Sequence, residues 1–547
     1  MIPSLWNDKN AEVGVLSLKK SIFFLLALLL ALPSCGGPAE SGATPTPAPV
    51  PETTETVPTV YTDYSQLTPY EPLRAKYTRR YEDFTDTLIP ADDYGLLVPF
   101  AGVKLTVTDD RFGRGWEDSL YGLMTLEGEV VADPVFTAAF VPSIWDESSW
   151  RFLTPDCLVL KKVVMDEDGT PTSVAALCAR DGSWCTGFDY FYDWEFTLDN
   201  TTEDVIPLRQ GGLEVSVFLD AHTGAELKKV DLTDIRERFP DGFWTLVYNL
   251  RYAERYAAFF QDELCYIFDT ETGAVLPVED VEGLSSFSHG LCQAKTASGW
   301  GCLDGKGRWV IDPVYQSVST WQNGHIQVQD QEGRYHFVSP GGEILYTFPE
   351  GANSFNIYGS LISYRVGQTY TLLDKNLRPL PLPTDFTDPR CESDWLIQKL
   401  PDPSPTVPGG VAFWNVKTGL RRDFPAPFQY AWCMEGDFVL LTSRADSYDY
   451  TLADLATGET TPLGRWRGVS FYRDEVTGEP YLALDDIGGA PSEFRTFTGD
   501  TLCYTADNIW KSTLLDGKIF VQKDTATTLT TLDGETVFCW PILSNTD

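Results

Sequence analysis

"GWGCLDGKGRWVIDPVYQSVSTW", residues 299–321, carries the marks of a hairpin in one short run. The turn Asp304-Gly305-Lys306-Gly307 separates two segments rich in Trp, Val, Ile and Leu. Glycine reaches positive φ at a turn without steric cost, and an Asp side chain supports the turn backbone by hydrogen bonding. Large and β-branched residues on either side suit half-buried strands. Pro313 ends the second strand in this reading, because proline has no N–H to give to a ladder.

The same grammar recurs along the chain. "YGLMTLEGEVVADPVF" (121–136) repeats it closely: Gly122 stands for Gly301, Gly128 for Gly307, and Asp133-Pro134 for Asp312-Pro313. "YHFVSPGGEILYTF" (335–348) follows without the paired Trp-Gly. Weaker copies place turns near 224, 273, 376, 419, 458 and 534. Spacing is mostly 34 to 50 residues, with longer gaps where a copy has diverged. A period in this range marks a repeat architecture. The chain of 547 residues therefore reads as one repeat array rather than a string of ordinary domains.

The stretch 285–350, and 121–136 less strongly, resembles the WG-repeat family. The resemblance rests on Trp300-Gly301, the turn at 304–307, "WVIDPVY" and the upstream "FSHGLCQAKTASGWG". Near Trp184 the expected Gly is Cys185, so that copy departs from the pattern. The family implies an extracytoplasmic β-repeat protein with no established catalytic residues to carry over. Trp300 and Trp309 then read as packing aromatics, with stacking on a ligand as the competing role for Trp300.

The amino terminus reads as an address. Lys19 and Lys20 precede "SIFFLLALLLAL", an apolar run too short for a membrane span of roughly 20 residues. The segment resembles a bacterial lipoprotein signal, with Leu32, Ser34 and Cys35 in their places and Pro33 departing from the usual residue. The resemblance implies cleavage before Cys35 and lipid on its thiol; an uncleaved signal anchor is the alternative. The expected organisation is a signal peptide over 1–34, lipidated Cys35 with a Pro/Thr-rich linker over 35–60, and a β-repeat domain over 61–547. A helical insertion is expected near 226–262, where "NLRYAERYAAFFQDEL" sets Leu250, Tyr252, Tyr256, Phe259 and Phe260 near one helical face. "PDPSPTVPG" (401–409) reads as a surface loop or a joint between subdomains.

Composition narrows the partners. A formal charge of -38 repels phosphate backbones, so no nucleic acid is expected. Aromatics at 13% suit sheet-on-sheet packing. No phosphate loop, HExxH, GxSxG or CxxC motif is present, and no catalytic residue, metal ligand or cofactor is assigned. His222, His289, His325 and His336 are dispersed, and acidic pairs such as Asp92-Asp93 and Asp485-Asp486 are too numerous to single out two as glycosidase acid and base. Of the 11 cysteines, Cys178 with Cys185 and Cys292 with Cys302 flank equivalent places in the repeat. Each pair can face across one hairpin as a disulfide; buried free thiols are the competing reading.

The expected fold is all-β, a repeat of short antiparallel sheets closed as a β-propeller, because closure removes exposed edges. An open or spiral array of hairpins is the alternative. The expected function is a non-enzymatic binding or scaffold lipoprotein on the bacterial cell membrane, with a protein, peptide or glycan ligand. A secreted enzyme acting on glycans is the alternative.

Overall fold

The hairpin grammar becomes strand pairing residue by residue. In the computed structural model, Gly299–Asp304 pairs antiparallel with Trp309–Tyr315 across the turn at 304–307. Gly307 has φ +72 and its N–H donates to the Asp304 carbonyl at 2.9 Å. The Asp304 carboxylate accepts the backbone N–H groups of Lys306 at 2.9 Å and Arg308 at 3.0 Å. Asp269 supports the longer turn at 269–273 in the same way, taking the N–H groups of Glu271 and Thr272. Asp220, Asn415, Asp454 and Asp474 do so in their own turns. At the turn near 376 Leu377 takes the positive φ that glycine holds elsewhere.

The structure describes residues 59–60 and 94–544, with breaks at 110–113, 143, 147–150, 154, 166–170, 323, 359–360, 403–408, 444–447, 487–491, 506–511 and 524. Among the described residues the strands group into eleven consecutive units. Units 1 to 11 span 98–136, 138–185, 190–231, 256–278, 283–315, 317–347, 352–380, 390–424, 430–465, 468–505 and 512–541. Unit 5 is typical: Gly283–Ser288, Leu291–Thr296, Gly299–Asp304 and Trp309–Tyr315 form a four-stranded antiparallel meander. Units 2 and 3 join edge to edge through Tyr190–Phe191 into a seven-stranded sheet.

Each unit buries both faces, so its apolar residues divide between two neighbours. Phe287, Cys292 and Leu303 of unit 5 pack with Ala258, Cys265 and Ile267 of unit 4. Cys302 and Ile311 of the same unit pack with Val318, Ile326 and Val328 of unit 6. This alternation continues through all eleven units. It then returns to the beginning: Leu515, Phe520, Leu529, Phe538 and Trp540 of unit 11 pack with Phe100, Val103, Leu120 and Met124 of unit 1. Trp540 Nε1 donates to the Gly102 carbonyl at 2.9 Å, and Thr527 Oγ1 to the Ala101 carbonyl at 2.9 Å. Leu543–Ser544 then adds in parallel to Val98–Asp109 and completes the first sheet. The order of sheets is a closed cycle, as in a β-propeller, and the open array is ruled out. The number of sheets exceeds the usual four to eight blades of single rings.

The helical insertion is shorter than the sequence pattern suggests. Glu226–Asp231 and Tyr256–Gln261 are strands, and the helices are Thr233–Arg238 and Gly242–Asn249. Tyr256–Gln261 buries Ala257, Ala258 and Phe259 in succession, on both faces. A strand covered on both sides is apolar without alternation, and over a few residues it cannot be told from a helix. Gly242–Asn249 lies against this strand where other units have their first strand. Gln261 Oε1 accepts the N–H groups of Asp241 and Gly242, and Asn249 Nδ2 donates to the Ala258 carbonyl at 2.8 Å. Most of the Pro-rich stretch, 403–408, lies outside the described residues; the strands on either side of it, Trp395–Lys399 and Val411–Asn415, pair with each other in unit 8.

Candidate functional site

Most side chains singled out in the sequence stay apart in the fold. Cys35 and Asp92-Asp93 lie outside the described residues. Asp485 is buried and takes a bidentate bond from Arg467 at 2.7 and 2.8 Å. Each histidine has its own local setting. His222 Nε2 is 3.0 Å from Asp204 Oδ1, a bond that raises its pKa. His336 Nε2 is 3.0 Å from Asp330 Oδ2. His325 lies against the Phe337 ring, and His289 gives its backbone N–H to Glu254 in a turn.

The two cysteine pairs part company. Cys178 and Cys185 oppose one another on an antiparallel bridge. Cys292 pairs with Leu303 and Cys302 with Gln293, one residue out of step. That offset sends the two side chains to opposite faces of unit 5, Cys292 toward unit 4 and Cys302 toward unit 6. All four are free thiols.

Two exposed tryptophans that the sequence did not suggest lie on the helix Trp194–Asn200 of unit 3 and the helix Gly242–Asn249 that precedes unit 4. The helix Trp194–Asn200 starts at Asp193, whose carboxylate accepts the Phe196 N–H. Arg209, fully buried, joins it to Gly242–Asn249. Its guanidinium donates to Asp193 Oδ2 at 3.4 Å, to the Val247 carbonyl at 3.3 Å and to Ser216 Oγ, and lies 3.5 Å from the Phe196 ring centroid. Burial lowers the Arg209 pKa to about 10 and Asp193 counters it, so the group stays charged at neutral pH. Removing either partner of such a pair would leave a buried charge uncompensated, which fixes the two helices in place. They carry Trp194, 60% exposed, and Trp244, 48% exposed. Indole rings held open to water on a rigid support offer flat apolar area with little further entropy to lose on binding. The sequence signal was weak: Trp194 follows Asp193 in a run of aromatics, "FDYFYDWEF", that reads equally well as strand.

The opening stretch itself is scaffold, and its geometry explains the motif. Trp300 pairs with Tyr315 and Cys302 with Ile311, so Asp312-Pro313-Val314 bulges opposite the single residue Gly301. A Cβ on Gly301 would stand 2.3 Å from the Ile311 carbonyl oxygen and 2.8 Å from the Asp312 carbonyl carbon. In unit 1 Tyr121 pairs with Phe136 and Leu123 with Ala132, which sets Asp133-Pro134-Val135 over Gly122 in the same way. A Cβ there would meet the Ala132 carbonyl oxygen at 2.7 Å. The glycine of the pair thus makes room for the bulge that the Asp-Pro builds in the next strand. Trp300 and Trp309 are half-buried and flank the cores toward units 6 and 4 respectively.

Residues 300–335 match the WG containing repeat. The WG repeat so defined runs from the third strand of unit 5 to the third strand of unit 6, one full step of the cycle. No curated protein matches the chain. Solved structures similar to parts of it include Kluyveromyces lactis Hsv2p, at 9% identity over 52% of this chain and 96% of that one, with a TM-score of 0.23. Moraxella catarrhalis BamB is 14% identical over 51% of this chain and 88% of that one, with a TM-score of 0.20. Citrobacter koseri AztD is 11% identical over 74% of this chain and 94% of that one, with a TM-score of 0.22. At such values the fold assignment rests on strand pairing, the closed cycle of sheets and the WG repeat.

Proposed function

We propose that this chain is a non-enzymatic binding or scaffold lipoprotein that carries WG-like repeats outside the cytoplasm, tethered to the bacterial cell membrane through lipid on Cys35. The observation that carries the binding role is the pair of exposed tryptophans, Trp194 and Trp244, on helices pinned by Arg209. Their partner is a ligand with a flat apolar face, such as a glycan ring or a planar side chain of a protein or peptide. The net charge of -38 favours neutral or cationic ligands over anionic ones. The apolar run ending at Cys35 supports the tether, and two or more acyl chains would make the anchoring firm.

Glycan and peptide arrays probed with the full chain test this. Trp194→Ala with Trp244→Ala should abolish the signal and leave the melting temperature within about 1 °C, since exposed side chains contribute little to stability. Retained binding would reject the site. Release of reducing ends from a bound glycan in the same assay would point instead to a secreted enzyme. Mass spectrometry of the membrane fraction should find acyl chains on Cys35, and an unmodified Cys35 there would reject the tether.

A further inference from the structure

Cys178 and Cys185 occupy a position that the WG pattern gives to other residues, and their geometry is unlike that of the other cysteines. The strand Pro171–Ala179 turns at Gly182, and the returning chain bridges back at Cys185. The Ala179 N–H donates to the Trp184 carbonyl at 2.9 Å, and the Thr186 N–H to the Leu177 carbonyl at 2.8 Å. These two bonds bracket the cysteine pair, and the backbones of the two cysteines exchange none. That is the non-hydrogen-bonded site of an antiparallel ladder, where Cα atoms stand about 4.5 Å apart and both side chains rise from one face. A disulfide spans Cα separations of roughly 4.4–6.8 Å. The pair can therefore close with the backbone where it is. Cys178 and Cys185 stand where unit 5 has the pair Leu303 and Trp309, so the spacing match with Cys292 and Cys302 does not carry over; those two lie on the second and third strands of unit 5, point to opposite faces and cannot close.

The two thiols are also unequal. Cys178 is fully buried, and Cys185 is half-buried. Cys178 Sγ donates to the Ala179 carbonyl at 3.4 Å, and its closeness to Cys185 raises the Cys178 pKa, as does burial, and lowers that of Cys185. Burial opposes the shift at Cys185 and Lys162 assists it. Cys185 is thus the more acidic of the two thiols and the more exposed. Thiolate is the reactive form in exchange with disulfides. Cys157, on the neighbouring strand, is also buried, and burial pushes its thiol up to about 12, so it does not compete.

We propose that Cys178 and Cys185 form a redox-active dithiol, with Cys185 as the attacking sulfur and Cys178 as the resolving one, oxidised by external small-molecule disulfides. The Cys185 thiolate attacks one sulfur of the oxidant, whose S–S bond breaks and releases one thiolate. Cys178 then gives up its proton and attacks Cys185 sulfur, expelling the second thiolate as the Cys178–Cys185 bond forms. Two electrons pass from the protein to the oxidant, and two protons end on the two released thiols.

Glutathione disulfide added to the native full chain tests this, with free thiols then blocked by N-ethylmaleimide. Trypsin cuts after Lys162, Arg180 and Arg209, so the bond would join peptide 163–180 to peptide 181–209. The expected result is that joined pair, with loss of two alkylatable thiols and with Cys292 and Cys302 still alkylated. Cys178→Ala should stop at a stable glutathione adduct on Cys185, and Cys185→Ala should give no adduct at Cys178. The wild-type measurement decides the matter without either variant. Joined peptides that form only in denaturant, a bond from Cys178 to Cys157, or a lasting glutathione adduct on Cys185 in the wild type would each overturn the proposal.

Discussion

Gly301→Ala is the sharpest probe of the motif. The added Cβ would lie 2.3 Å from the Ile311 carbonyl oxygen, and its three nearest neighbours are all backbone atoms of the next strand. Ordinary Cβ contacts stay beyond 3.0 Å, so the strand must retreat by several tenths of an ångström with no flexible side chain to absorb the shift. Overpacking of this kind costs about 1–3 kcal/mol. Weakening one or two ladder bonds beside it adds about 0.5–1.5 kcal/mol each. Restricting the unfolded chain returns about 0.4–1 kcal/mol. The net loss is roughly 2–4 kcal/mol. If the cycle melts as one unit of about 450 residues, at ~2.1 cal/mol/K per residue, the melting temperature falls by about 2–4 °C. Deleting Asp312 and Pro313 restores one-to-one pairing opposite position 301. In that background the same Gly301→Ala should cost less than about 1 kcal/mol. Calorimetry on the four proteins of the cycle reads the coupling directly. A Gly301→Ala melt equal to wild type, or an equal penalty in both backgrounds, would refute the idea that the glycine exists to admit the bulge.

Trp540→Ala removes a fully buried ring and leaves the Gly102 carbonyl without its donor, for a loss of about 4–6 kcal/mol. Hydrogen exchange should quicken first in units 1 and 11, and a first loss in unit 6 would contradict the closure. Asp330 is held at about 2: burial opposes its ionisation, but bonds from His336 and Arg334 outweigh burial. A depressed carboxylate stabilises above its ordinary range near 3.8 and loses that contribution as pH falls toward 2. Melts of Asp330→Asn should therefore lie below wild type at pH 5 and converge with it by pH 2. A constant gap across that range would assign the difference to packing.

What could be read from the chain alone follows the range of the interactions. Turns are local, and Gly128, Gly224, Gly273, Gly307 and Gly342 all hold positive φ where the pattern put them. Closure could be argued only from the need to hide edges; the contact of Trp540 with Gly102 joins residues 438 apart. The helix limits were misread because Tyr256–Gln261 is apolar on both faces. Cysteine spacing did not separate the two pairs, since a register shift of a single residue decides whether side chains meet or diverge. The exposure of Trp194 and Trp244 could not be found, because the helices that carry them are joined through Arg209, which is distant in sequence from Val247.

Closure by the last strand has a consequence for how the protein is made. Leu543–Ser544 completes a sheet whose other strands leave the ribosome more than four hundred residues earlier. At synthesis rates of about 5–20 residues per second, unit 1 waits tens of seconds with Phe100 and Leu120 uncovered. Until unit 11 packs there, Phe100 and Leu120 stay open to water, and a molecule cut inside the cycle leaves two open sheets that chaperones and proteases can take up. Closure thereby sorts whole rings from broken ones.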